Sequence, residues 1–161
     1  MPEPAARTPS TAPELILAFD YGQRRIGLAV GDTLTRSARP DSVLQVPTGD
    51  EAPVFDAIAL QIKALRPARL IVGCPYHADG TDSAQSTRTR AFAAQLHSRF
   101  GLPVELVDER HSSQEASARL KELRRSGQRR RRLRKQDIDG GAAAVILERW
   151  FAGERTAEVV P

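Results

Sequence analysis

The spacing of apolar residues changes part-way along this chain, and that change limits the architecture more than any other feature. Leu15-Ile16-Leu17-Ala18-Phe19 is a short apolar run closed by Asp20, and Ile26-Gly27-Leu28-Ala29-Val30 follows after a glycine-containing turn. A third run, Ser42-Val43-Leu44-Gln45-Val46, stops at Pro47 and Gly49. Runs of this length bounded by turn residues predict strands, the first two a hairpin and the three together a meander. From Val54 the spacing lengthens: Val54, Ile58, Ile62 and Leu65 recur at i, i+4, i+8 and i+11, the stripe of an amphipathic helix that Pro67 ends. Leu70-Ile71-Val72-Gly73 predicts a buried strand, Phe92, Leu96 and Phe100 a helix, and Val104 to Asp108 a fifth strand. Ala116, Leu120 and Leu123 line a third helix, and Asp139 to Phe151 forms the last, rich in alanine. Strands in this order, followed by alternating helices, predict a mixed α/β sheet of five strands with helices on both faces.

At 161 residues the chain has the size of one domain and can bury roughly 70% of its unfolded surface. Residues 1–13, MPEPAARTPSTAP, lack an apolar stretch and read as a disordered leader, with 14–152 as the folded domain and 153–161 as a flexible tail. No apolar run approaches the ~18 residues of a membrane span, so a cytoplasmic protein is expected. Cys74 is the only cysteine, which excludes an internal disulfide or a thiolate-rich zinc site.

The net charge of +4 conceals a local excess. Arg119 to Lys135 holds ten basic residues and one acidic, a charge of +9 that leaves −5 on the remainder. Within it, Arg129, Arg130, Arg131, Arg132 and Arg134 form a single-sign block that repels itself until a polyanion neutralises it. Arginine forks onto phosphate bidentately, so nucleic acid is the leading partner, with a solubilising linker as the alternative.

Carboxylates gather where strands end. Asp20 closes the first strand after an apolar run and is expected to be partly desolvated. Asp108 and Glu109 close the fifth, and alternation allows only one of them to share the side of Asp20. Asp139 precedes Ala143, Ile146 and Trp150 by 4, 7 and 11 residues, one helix face turned to the core. Three acids converging on one sheet end require a hard cation, and oxygen-only ligation selects Mg²⁺ or Mn²⁺ of the kind that assists phosphodiester hydrolysis. Each acid also has a plain alternative: Asp20 could accept turn N–H groups, Asp139 could be an N-cap, and Glu109 could pair with Arg110.

The segments LAFDYGQRRIGLAVGD, LIVGCPYHADG, VELVDERHSSQEA and DGGAAAVILERWF, in this order, resemble the YqgF (RuvX-like) family of pre-16S rRNA nucleases and Holliday-junction-resolvase-like proteins. The likeness extends from about Leu15 to Phe151. It implies a ribonuclease H-like fold and a metal-dependent nuclease whose acids are Asp20 in D-x-G-x-x-R-x-G, Glu109 in D-E-R and Asp139 at the head of the last helix. Structured RNA is the implied substrate, with branched DNA second. The chain departs from the family pattern at Gln23, at His111-Ser112-Ser113, and at Cys74-Pro75-Tyr76-His77.

Among supporting residues, Gly22 and Gly27 bracket a tight hairpin in which glycine permits positive φ or close approach. Arg25 matches the motif arginine and could hold a phosphate or remain a solvated hairpin charge. Ser83 to Thr89 opens a helix with Arg88 and Arg90 near its start, a second phosphate-binding candidate. Ser112 and Glu115 fit a capping box, Asp137 is a candidate fourth ligand, and Cys74, Phe92, Phe100 and Trp150 read as core. Three functions are carried forward: an RNA nuclease, a DNA junction resolvase, and a non-catalytic nucleic-acid-binding factor. An actin-like or sugar-kinase ATPase, which also begins with a D-x-G hairpin, needs two related domains that 161 residues hardly accommodate.

Overall fold

The structure is a computed structural model; it describes residues 13–47, 50–75, 83–108, 135–153 and 159–160, with 108, 135–140 and 159–160 given by their backbone. β1 (Leu15–Tyr21), β2 (Arg25–Asp32) and β3 (Ala38–Gln45) form the expected antiparallel meander. α1 (Ala52–Leu65) leads to β4 (Arg69–Cys74), which pairs parallel with β1, and α2 (Ala84–Phe100) leads to β5 (Val104–Asp108), parallel with β4. α3 (Lys135–Phe151) and β6 (Val159–Val160) follow, and the sheet order is β3-β2-β1-β4-β5-β6.

Alternation along β1 divides the core into two layers. Leu17, Phe19 and Tyr21 pack with Phe55 and Ile58 of α1 and with Phe92 and Leu96 of α2. Ile16 and Ala18 face the other way and pack with Ile146, Leu147 and Trp150 of α3. The central strand is therefore apolar on both faces, as a strand covered by helices on each side must be. Cys74 is fully buried in the first layer, a small apolar residue as expected.

Helix ends follow local chemistry. Arg66 takes the left-handed conformation after α1, its N–H bonded to Ile62 O at 2.8 Å, and Pro67 bars continuation. Ser83 caps α2: its Oγ accepts from Ser86 N at 3.0 Å, while Ser86 Oγ accepts from Ser83 N at 2.7 Å. Gly101 closes that helix at φ 70°, where a side chain would be strained. Arg36 reaches across the sheet to donate to Phe151 O at the C-terminus of α3, the end where a cation is favoured.

Three expectations change in detail. β3 begins at Ala38 rather than Ser42, because Pro40 is tolerated on an edge strand, and the register irregularity opposite Leu28 and Ala29 leaves Asp41 as a bulge. α3 begins at Lys135, four residues before Asp139, so Asp139 is a helical residue and the N-cap alternative is removed; acids near a helix start suit its dipole. The segment read as a flexible tail supplies a sixth strand, in which the β-branched Val159 and Val160 pair with Glu105 and Val104 on the open edge of β5. The helix expected over Ala116, Leu120 and Leu123, the Ser112–Glu115 capping box and the leader up to residue 12 lie outside the described residues.

Candidate active site

Asp20 sits near the C-terminal end of β1, half-buried, opposite Gly27 of β2. The chain reverses immediately beyond it. A Cβ on Gly22 would lie 2.7 Å from Arg25 O, so close backbone approach requires glycine there. Among the described glycines positive φ belongs to Gly101 and Gly153, so it is steric clearance and not a left-handed conformation that Gly22 supplies.

The reversal forms one wall of a cleft of about 400 Å³ lined by Asp20, Gln23, Arg24, Arg25, Gln85 and Arg88. The opposite wall is the first turn and a half of α2. Three guanidinium groups line a space containing one described carboxylate, which biases it toward anions. Arg88 is held in place: its Nε and Nη2 donate to Gln23 Oε1 at 2.9 and 2.8 Å in the amide orientation that satisfies both groups. The same two nitrogens donate to Gln85 Oε1 at 3.4 and 3.2 Å. Gln85 Nε2 in turn donates to Tyr21 O at 3.0 Å, tying α2 to the residue beside Asp20.

Tyr21 secures the strand end from the other face. Its ring stacks on Phe92 with centroids 4.5 Å apart, and its hydroxyl donates to Glu51 Oε2 at 2.6 Å. Burial, followed by the hydrogen bond and the charge of Glu51, pushes the Tyr21 phenol from 10.0 up to about 12.

The expected site residues are distributed as follows. Asp20, Arg25 and Arg88 line the cleft. Arg90 is half-buried and lies about 200° round α2 from Arg88, outside that lining. Asp139 is in α3, with its side chain outside the described set. Glu109, Asp137's side chain, His77, His111 and Arg129, Arg130, Arg131, Arg132 and Arg134 also lie outside it. Among the described residues no group of three His, Cys, Asp or Glu side chains could hold a metal ion. In the sequence Gln23 stands out only as a departure from the family pattern and Gln85 not at all; the Gln85–Arg88 spacing of three on a helix is the signal that links them.

α3 runs antiparallel to β1. Trp150 bonds Glu105 near the start of β5, Phe151 packs over Gly31 opposite Ile16, and Ala143 and Ala144 cluster with Ala29, the partner of Ala18. The N-terminal part of α3 is therefore directed toward the sheet end that carries Asp20.

Comparison with known proteins agrees with this architecture. The family model RuvX, described as Holliday junction resolvase, matches residues 14–153. A protein of Azotobacter vinelandii named "Putative pre-16S rRNA nuclease" is 44% identical over 148 residues, covering 91% of this chain and 99% of its own. One of the same name from Xanthomonas campestris pv. campestris is 42% identical over all of both chains. Among solved structures, Thermus thermophilus RuvC in complex with a Holliday junction substrate superposes with TM-score 0.58 at 14% identity, covering 89% of this chain and 99% of that one. The yeast mitochondrial Holliday junction resolvase Ydc2 gives TM-score 0.51 at 12% identity, with coverage of 84% and 77%. The fold is that of the ribonuclease H-like α/β nucleases. Within that class, the chain belongs to the RuvX family. No helix among the described residues is long and apolar enough to cross a membrane.

Proposed function

We propose that this protein is a cytoplasmic, divalent-metal-dependent phosphodiester hydrolase that acts on structured RNA, in maturation of the 5′ end of pre-16S ribosomal RNA. The observation that carries the reading is the cleft in which Asp20, near the end of the central strand β1, is accompanied by Arg24, Arg25 and Arg88. A carboxylate alone would repel a phosphodiester; arginines alone would bind one without chemistry. Residues 14–152 are read as the nuclease domain, whose sheet β6 extends.

The carboxylate set proposed is Asp20, Glu109 and Asp139. Alternation along a strand lets only one of Asp108 and Glu109 share the side of Asp20, and the D-E-R motif supports Glu109. Asp139 precedes Ala143 by one helical turn, and the packing of Ala143, Ile146 and Trp150 against the sheet supports including it. Carboxylate oxygens are hard donors that fit Mg²⁺ or Mn²⁺. Such an ion would supply activation of the attacking water and stabilisation of the leaving oxygen. Arg25 and Arg88 would orient the phosphate by charge-assisted hydrogen bonds, and the block Arg129, Arg130, Arg131, Arg132 and Arg134, immediately before α3, would concentrate nucleic acid beside the acids.

Branched DNA is the second substrate, favoured by the fold shared with a resolvase solved on its junction. Labelled precursor rRNA, a four-way DNA junction and generic single strands, each incubated with Mg²⁺, Mn²⁺ or EDTA, separate these readings. Asp20→Asn, nearly isosteric, is expected to fold normally and to lose metal-dependent cleavage. Equal activity in wild type and Asp20→Asn would overturn the proposal, and binding of every probe without turnover would define a non-catalytic factor.

A further inference from the structure

We infer that Gln23 and Gln85 are positioning residues that hold Arg88 as an oriented but un-neutralised cation for a phosphodiester oxygen in the cleft beside Asp20. The inference rests on reading that cleft as a phosphodiester site and specifies how its cation is presented.

Arg88 is exposed, and an exposed arginine ordinarily samples many rotamers and pairs with whatever carboxylate is near. Here the Nε–Nη2 edge is gripped by two side-chain oxygens from two separate elements, Gln23 on the β1–β2 turn and Gln85 on α2. Gln85 is itself fixed through Tyr21 O, one residue from Asp20. The grip is therefore referenced to the strand that carries the acid.

Both acceptors are neutral. A glutamate at either position would make a stronger, charge-assisted bond, and it would also cancel the charge that an anionic ligand needs. Amide oxygens fix the plane of the guanidinium and leave its full charge in place, the arrangement expected of a group supported for ligand binding rather than for folding. Nη1 takes no part in either set of bonds, so one face of the fork is left out of the grip.

The test separates geometry from charge. Binding of labelled precursor rRNA and of a four-way DNA junction is measured in EDTA across a range of salt for wild type, Arg88→Gln, Gln23→Ala, Gln23→Glu and the double variant Gln23→Glu/Arg88→Gln. Arg88→Gln is expected to weaken both probes and to reduce the slope of log K against log salt by roughly 0.7 to 0.9. Gln23→Glu should reproduce that loss although it holds the guanidinium more firmly, and the double variant, whose carboxylate has lost its counter-charge, should bind no better than Arg88→Gln. Gln23→Ala should keep the slope and weaken binding roughly three- to tenfold, because charge is retained and order is lost. Gln23 is exposed on a turn, and thermal melts verify that the variants fold. Wild-type affinity and slope in Gln23→Glu, or in Arg88→Gln, would overturn the inference while leaving cleavage by the wild type as support for the hydrolase. A wild type that binds with this salt dependence but cuts neither probe with Mg²⁺ or Mn²⁺ would overturn the hydrolase and leave the clamp standing. A wild type that binds neither probe overturns both.

Discussion

Glu105 is the buried charged residue whose removal gives the sharpest test of how the sheet is locked to α3. It is 6% exposed, accepts from the Arg69 guanidinium, and accepts from Trp150 Nε1 at 3.1 Å. The Arg69 guanidinium also lies 5.6 Å from the Trp150 ring centroid, so three elements, β4, β5 and α3, meet on this one carboxylate. Glu105→Ala deprives the buried indole of this acceptor, which by itself costs about 1 to 3 kcal/mol. Breaking a fully buried ion pair typically costs about 3 to 5 kcal/mol, but the Arg69 side chain is 35% exposed and water can take over part of its solvation. The expected total is roughly 2 to 3 kcal/mol, a fall in Tm of roughly 4 to 12 °C for a chain of this size. Glu105→Gln retains one acceptor and should lose about half as much, and Arg69→Met/Glu105→Leu, which buries no orphaned charge, should melt above Glu105→Ala. Thermal unfolding followed by circular dichroism measures all three. Cleavage below the transition should be unchanged, since the network lies at the sheet end away from Asp20. A Glu105→Ala protein melting within about 1 °C of wild type would refute the reasoning.

A Cβ on Gly31 would overlap Ser37 O and lie 3.0 Å from Leu147 Cδ2 and 3.1 Å from Phe151 Cε2, so Gly31→Ala should destabilise by about 1 to 3 kcal/mol in urea titration. The Tyr21 phenol is pushed up to about 12, so the fold favours its protonated form: this contribution is complete below pH 10 and is lost as pH rises through 12. Ultraviolet titration should therefore show a tyrosinate step near pH 12 that is absent in Tyr21→Phe, and that variant's stability should fall less steeply over the same window.

Much of the architecture can be read from local pattern, because a strand buried on both faces must be apolar throughout and a helix on a sheet must repeat near 3.6 residues. The stripe Val54, Ile58, Ile62, Leu65 and its stop at Pro67 gave α1 within two residues of its observed start and at its observed end. β3 and β6 were harder to read because edge strands need little apolar content: Arg39-Pro40-Asp41 and Val159-Val160 owe their conformation to an exposed neighbouring edge rather than to their own composition.

The sequence by itself determined the order of elements, the carboxylate at the end of β1, the concentration of arginine before α3 and, through four motifs, the family. Each of these is carried by residues adjacent in the chain, where spacing and chemistry act directly. Tertiary structure alone decided which distant side chains meet. Gln23 and Arg88 are 65 positions apart, and Glu105 and Trp150 are 45 apart. No local signal marks such pairs, because an amide or a guanidinium is equally at home on an exposed turn or helix until a fold brings a partner within hydrogen-bonding distance. The clamp on Arg88 and the lock on Glu105 thus depend on the sheet order β2-β1-β4-β5, which parallel pairing across helical crossovers sets only when the whole domain closes.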